Sequence, residues 1–385
     1  MRKSLGRLRR PGRSGPGCAD RRSLLGVIGY KGGRRGTAYP IRLVSGSTAD
    51  AHRPSSLTAL NDLPLRPGHT GEPVRDVQRR LAGLGFSVAS DTLGSYGHGT
   101  EAAVRRFQQQ RGLRPDGICG EQTWGSLVEA GYRLGDRFLY VRSPMLRGDD
   151  VAHLQRLLGA LGFDAGRVDG IFGSNTTAAL VEFQRNAGLT TDGICGAATT
   201  AELLRLGARA AEAPTVAAVR ELEALRGAPR SLYGRRIAIG EAGGLAALAT
   251  ALGRVLSDAG AVVAVLNHPN ESAQASEAND FKAEAFVAVS LLDAPGRQVA
   301  YYSTGNFESV GGRRLAVTVL ARLPDDLFPT AGEARGMRLP VLRETRMPAV
   351  VCEFGPPSVA VEHAARLARA MADGIADWLR SPLSS

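Results

Sequence analysis

The chain repeats itself, and that constrains its fold more than any other feature. Val77-Gln78-Arg79-Arg80-Leu81 returns as Leu154-Gln155-Arg156-Leu157-Leu158. Leu84-Gly85-Phe86 returns as Leu161-Gly162-Phe163, and Val104-Arg105-Arg106-Phe107-Gln108 as Leu180-Val181-Glu182-Phe183-Gln184. Asp116-Gly117-Ile118-Cys119-Gly120 returns as Asp192-Gly193-Ile194-Cys195-Gly196. The offset is 77 residues from Gln78 to Gln155 and 76 from Asp116 to Asp192. A constant offset marks a tandem duplication, so both copies take one fold.

Each copy reads as three short helices. Residues 75–84 and 151–161 place apolar side chains at i, i+3/i+4 and i+7, one face of a helix, as do 100–111 and 175–187. A third helix follows in each, over 121–130 and 197–206. Asn175 or Thr176 suits an N-cap, and Gly112 and Gly188 suit the left-handed residue that ends a helix. Asp116-Gly117 and Asp192-Gly193 are turn dipeptides. Leu81, Leu84, Phe107, Leu158 and Phe183 are the expected bundle core.

A net charge of +11 invites a nucleic-acid partner, but its distribution argues against one. Residues 1–58 hold 13 Lys and Arg against Asp20 and Asp50, so the whole excess sits in that stretch. Rich in Gly, Pro, Ser and Arg and without sustained period, residues 1–60 are expected to form a basic disordered tail. Its readings are an anionic surface contact, a solvated tail or misassigned start, or a targeting signal around Arg21-Arg22-Ser23-Leu24-Leu25. No apolar run reaches the roughly 18–20 residues of a membrane helix. Cys18, Cys119, Cys195 and Cys352 have no zinc-ligand spacing; buried free thiols are the simplest reading, and a disulfide between Cys119 and Cys195 the alternative. The expected location is cytoplasmic or membrane-peripheral, with export left open.

After a linker over 211–231, with a helix expected at 215–225, the pattern changes. Apolar runs at 236–239, 261–266, 286–292 and 349–353 alternate with helical stretches at 245–259, 276–283, 313–323 and 359–379. Such alternation predicts an α/β domain over 232–382 with a mostly parallel sheet. The expected fold class is therefore multidomain: two all-α three-helix modules, at 61–136 and 137–210, followed by an α/β domain.

The repeats carry Gly148-Asp149-Asp150-Val151, Leu161-Gly162-Phe163, Asp169-Gly170-Ile171-Phe172-Gly173 and Asp192-Gly193-Ile194-Cys195-Gly196. This pattern resembles the peptidoglycan-binding type-1 module, and the resemblance implies a cell-wall peptide or glycan as ligand. The first copy departs at Leu93-Gly94-Ser95-Tyr96-Gly97, where the aspartate is missing. Gly234-Arg235-Arg236-Ile237-Ala238-Ile239, Asn279-Asp280-Phe281-Lys282 with the strand after it, Leu342-Arg343-Glu344-Thr345-Arg346-Met347-Pro348 and Glu353-Phe354-Gly355 resemble the N-acetylmuramoyl-L-alanine amidase type-3 domain.

An intact member of that family holds zinc with two His and one Glu and uses a further carboxylate as general base. The resemblance gives the general-base position to Glu353 and leaves Glu241 as the remnant of the glutamate ligand. Leu292 replaces a ligand histidine, and Gly240-Glu241-Ala242-Gly243-Gly244 replaces the histidine-bearing first loop. Asp293 reads as a turn or capping residue. Of the six histidines, only His268 and His363 fall in this domain, and neither sits in a ligand loop. The expectation is no zinc and a vestigial Glu353 satisfied by backbone donors. It follows that the chain is a non-catalytic peptidoglycan- or precursor-binding protein with a regulatory role in cell-wall metabolism, with a cell-wall synthesis enzyme as a further candidate partner. The alternative is an active zinc amidase cleaving the muramic acid–L-alanine amide.

Overall fold

The computed structural model describes residues 63–208, 213–292, 294–305 and 307–380. The expectations for the tail and for Asp293 lie outside the described residues.

The first module is α1 (Glu72–Gly83), α2 (His98–Gln110) and α3 (Glu121–Glu129). The second is α4 (Asp149–Ala160), α5 (Ser174–Asn186) and α6 (Ala197–Gly207). Each has its own apolar core, with Leu81 and Phe107 buried in one and Leu158 and Phe183 in the other. Leu84 is only half-buried at the edge of the first. The same edge-to-face aromatic pair recurs, Phe86–Phe107 at 5.7 Å and Phe163–Phe183 at 5.6 Å. Cys119 and Cys195 are free and buried, one in each module.

Four buried glutamines explain the turn motifs. Gln108 Nε2 donates to Asp116 Oδ1, the Ile118 carbonyl and Thr123 Oγ1, while its oxygen accepts from Gly117 N. Gln184 repeats this set with Asp192, Ile194, Thr199 and Gly193. Gln155 ties Asp169, Ile171, Thr176 and Gly170 together. In the first copy Gln78 makes do with the Ser95 carbonyl, Thr100 and Gly94 N. A buried amide must satisfy all its groups, which fixes Gln and Asp-Gly at this spacing.

Two local expectations are corrected. The cap of α5 is Gly173, not Asn175 or Thr176. Thr176 is turned inward to accept from Gln155. Helices α1 and α4 begin earlier than periodicity indicates, because acidic first turns extend them past the apolar face.

Helix α7 (Val216–Gly227) is capped by Thr215, whose hydroxyl accepts from Ala218 N at 3.3 Å. Then come β1 (Arg236–Glu241), α8 (Ala246–Asp258), β2 (Val262–Asn267), α9 (Glu271–Asp280) and β3 (Ala285–Leu291). The remainder is β4 (Gly296–Thr304), β5 (Phe307–Glu308), α10 (Val310–Arg322), β6 (Glu333–Met337), α11 (Pro340–Glu344), β7 (Ala349–Gly355), α12 (Pro357–Glu362) and α13 (Ala364–Arg380). The sheet runs β2-β1-β3-β7-β4-β5, with β6 also on β4. β2, β1, β3 and β7 are parallel, while β4 runs antiparallel to β7.

Strand alternation splits the core into two faces. Ile237, Ile239, Val287, Val289, Val350, Cys352 and Phe354 pack beneath α8, α10 and α13. Ala238, Phe286, Ala288, Val351, Ala300 and Tyr302 point the other way, joined there by Val168 of the second module. Helix α9 begins five residues before the expected 276, because Asn270 Oδ1 accepts from Ser272 and Ala273 N. The closing helix is two helices, broken at His363.

The modules dock on this second face through charge. Glu129 of α3 is buried between Arg338 and Arg343, at 2.9 and 3.0 Å. Arg111 pairs with Asp149 at 2.5 Å, and Arg338 N donates to the Gly112 carbonyl at 2.7 Å. Gly112 sits at φ +65, and a Cβ there would lie 3.1 Å from Arg338 N. One glycine thus ends α2 and lets the two backbones touch.

Candidate functional site

The site is a row across three adjacent strands. Ser290 on β3 stands in register with Glu353 on β7, and Glu353 with Gln298 on β4. All three face the side where the modules dock. The Glu353 side chain is 1% exposed. Its Oε2 accepts a hydrogen bond from Gln298 Nε2. Its Oε1 accepts from Arg114 of the first module, through Nε at 3.1 Å and Nη2 at 2.8 Å. Arg114 Nη2 also reaches Ser290 Oγ at 3.3 Å, and Nη1 lies 3.9 Å from Glu271 Oε1 at the start of α9. Burial pushes the Glu271 carboxyl above its usual range, with Arg114 pulling it back and Glu353 adding to the rise.

The expectation that backbone donors satisfy Glu353 is therefore corrected. Its partners are two side chains, one of them 239 residues away in sequence. Both carboxylate oxygens are engaged, one of them by the Arg114 guanidinium.

The structure does not bring Glu241 to Glu353. In register Glu241 stands beside Val289, on the opposite face of the sheet from Ser290 and Glu353. Its Oε1 accepts from Gly243 N at 2.7 Å and Leu245 N at 2.9 Å, which ties it to the loop leading into α8. Leu292 continues β3 by donating its N–H to the Phe354 carbonyl at 2.9 Å. The carbonyl oxygens of Leu292 and Ala294 lie so close to Gly355 that a Cβ there would sit 2.6 Å and 2.2 Å from them. Close approach is thus the structural reason for the glycine of Glu353-Phe354-Gly355.

A catalytic zinc site needs three protein ligands drawn from His, Glu, Asp or Cys. Among the described residues, no three such side chains gather to hold a metal. His268 Nδ1 accepts from Asn270 N at 3.0 Å within its own turn, and His363 sits at the break between α12 and α13. The described residues do not fit zinc.

Sequence reasoning missed Arg114, Gln298 and Glu129. The signal for two of them was asymmetry between the copies. At the duplication offset Arg114 faces Thr190, and Glu129 faces Arg205.

Residues 70–127 and 147–203 match the model of a family described as a putative peptidoglycan binding domain. A relative named N-acetylmuramoyl-L-alanine amidase CwlM, from Mycobacterium tuberculosis, is 42% identical over 185 residues, 46% of this chain and 45% of that protein. The chain carries two peptidoglycan-binding modules followed by an amidase-like α/β domain. A probable N-acetylmuramoyl-L-alanine amidase of Bacillus licheniformis is 34% identical over 181 residues, 43% of this chain and 50% of that protein. The chain thus spans about half the length of these curated relatives. Among solved structures, the amidase Ami1 of Mycobacterium smegmatis aligns with 98% of its length over 39% of this chain, at 17% identity and a TM-score of 0.34. No helix among the described residues is long and apolar enough to cross a membrane.

Proposed function

We propose that the protein is a non-catalytic peptidoglycan- or precursor-binding protein with a regulatory role in cell-wall metabolism. The observation that carries this reading is the state of Glu353. A general base must have a free lone pair within reach of the proton it takes. Here Arg114 and Gln298 occupy the carboxylate oxygens. Leu292 in place of a ligand histidine, and Glu241 turned to the other face, oppose metal activation of a water. The peptidoglycan-binding modules supply the affinity for cell-wall material, and two weak sites on one chain gain through effective concentration. A cell-wall synthesis enzyme is the further partner in this reading, and the cytoplasm or the membrane periphery its place.

The relatives' names favour the alternative, an active amidase. One experiment separates the two. Full-length protein, purified without chelator and assayed with added zinc on sacculi, should pellet with them. It should carry far below one zinc per chain and release no muramyl-linked peptide above a protein-free blank. Amide cleavage that is lost in Glu353→Gln, with the fold intact, would overturn the proposal.

A further inference from the structure

A cavity of about 690 Å³ lies at the other end of the sheet from Glu353. It is enclosed by the second module, helix α7, helix α9 and the segment around residues 343–348. This volume is ordinary for a small-molecule site. Its ion pairs do not use every arginine. Six arginines line it against four carboxylates. Arg147 is paired with Glu344 and Arg235 with Glu284, while Arg220 and Arg343 reach outside the cavity to Asp164 and Glu129. Of the remaining acids, Glu221 accepts from Ser309 Oγ and Gly311 N, and Asp169 accepts from Gln155 and Ile171 N. Arg167 and Arg346 are left with no carboxylate ion pair among the described residues.

Arg167 lies close enough to Asp169 to help hold that carboxyl's pKa down against the rise that burial causes, and its own contacts are with neutral groups. Arg167 stacks over the Tyr302 ring at 4.9 Å and donates through Nη1 to the Thr345 carbonyl. Its Nη2 has no acceptor among the described residues. The backbone of Arg346 donates to Asn279 Oδ1 at 2.9 Å, which fixes that residue beside α9. Helix α9 adds hydroxyls: Ser272 and Ser276, one turn apart, both line the cavity. One held guanidinium, Arg167, with the exposed Arg346 and the helix-borne hydroxyls beside it, makes a donor set of the kind that recognises phosphate or carboxylate.

We propose that this cavity binds an anionic group of a cell-wall fragment, held between Arg346, Arg167 and the α9 hydroxyls. The inference rests on the reading of the chain as a peptidoglycan- or precursor-binding protein, and it gives the amidase-like domain a task without catalysis. A ligand there touches the second module, helix α7 and the α/β domain together, so the site exists only in the assembled chain. The anion has two sources with the same chemistry, the free carboxylates of a stem peptide or the diphosphate of an activated precursor.

Calorimetric titration of the full chain at low salt tests this with three probes. These are inorganic diphosphate, a phosphate-free disaccharide tetrapeptide, and a uridine-diphosphate-linked muramyl pentapeptide. At least one should bind at a single site. Arg346→Ala, an exposed position whose loss should leave the melting temperature unchanged, should weaken it by about tenfold or more, the loss of one charge-assisted contact. Arg380→Ala, on α13 and outside the cavity lining, should bind like the wild type. Binding of the tetrapeptide alone assigns the stem carboxylates, and binding of both diphosphate probes assigns the precursor. Binding unchanged by Arg346→Ala, or no binding of any probe, overturns the proposal. Sedimentation of the same variant with sacculi then separates the two ideas. Retention leaves the wall-binding reading standing without this cavity, and loss in the wild type as well removes both.

Discussion

Removing Arg114 should loosen the first module from the α/β domain, because it strands a buried charge. Glu353 is 1% exposed, and Arg114→Ala would leave it with Gln298 as its remaining side-chain donor among the described residues. Breaking a fully buried ion pair by deleting one partner costs about 3–5 kcal/mol. The Arg114 side chain is 42% exposed, so water can enter beside Glu353 once the guanidinium is gone. That screening reduces the expected loss to about 2–3 kcal/mol. At roughly 2–4 °C per kcal/mol for a body of this size, the melting point should fall by about 4–12 °C. Glu353→Gln removes the charge rather than the partner, so adding it to Arg114→Ala should recover about 1–2 kcal/mol. The two tryptophans report separately, Trp124 from the first module and Trp378 from the α/β domain. With Trp378→Phe and Trp124→Phe backgrounds, fluorescence melts show which part responds. Both transitions should shift in Arg114→Ala and partly return in the double variant. A melting point within about 1 °C of wild type, or a double variant weaker than Arg114→Ala, would refute the reasoning.

Glu129→Ala should be more damaging, at about 3–5 kcal/mol by urea denaturation, because it leaves Arg338 and Arg343 facing each other without the carboxylate between them. An effect below about 1 kcal/mol would show that the network is incidental. Burial, helped by Arg156, holds the His153 imidazole below its ordinary value of 6.5. As pH falls, the unfolded chain therefore takes up this proton first, so stability is complete above 6.5 and declines from there toward the folded-state value. His153→Asn should flatten that decline in melts taken above and below 6.5, and an unchanged slope would assign it to another group.

Most of the architecture was legible because its signals are local. Repeats, Asp-Gly turns and glycine helix ends depend on neighbours within a turn or two, and β1, β3 and β7 announce themselves as continuous apolar runs. Strand β4 was not legible, since Arg297 and Gln298 sit within it and break the apolar pattern. They fit there because each has a partner contributed by a distant segment, Asp325 for Arg297 and Glu353 for Gln298.

The contacts at Glu353 were hidden for a related reason. No periodicity links Arg114 to a carboxylate 239 positions later, and family resemblance points to a metal there instead. What the sequence did hold was the difference between the two copies. Leu113-Arg114-Pro115-Asp116-Gly117 and Leu189-Thr190-Thr191-Asp192-Gly193 share the turn but not its approach. A threonine is too short and uncharged to do what Arg114 does, and Arg205 could not sit between Arg338 and Arg343 as Glu129 does. In a duplication the shared residues encode the common fold, here the buried glutamines and their turns. The unshared charges decide which copy docks where, and here they set the first module against Glu353, Arg338 and Arg343.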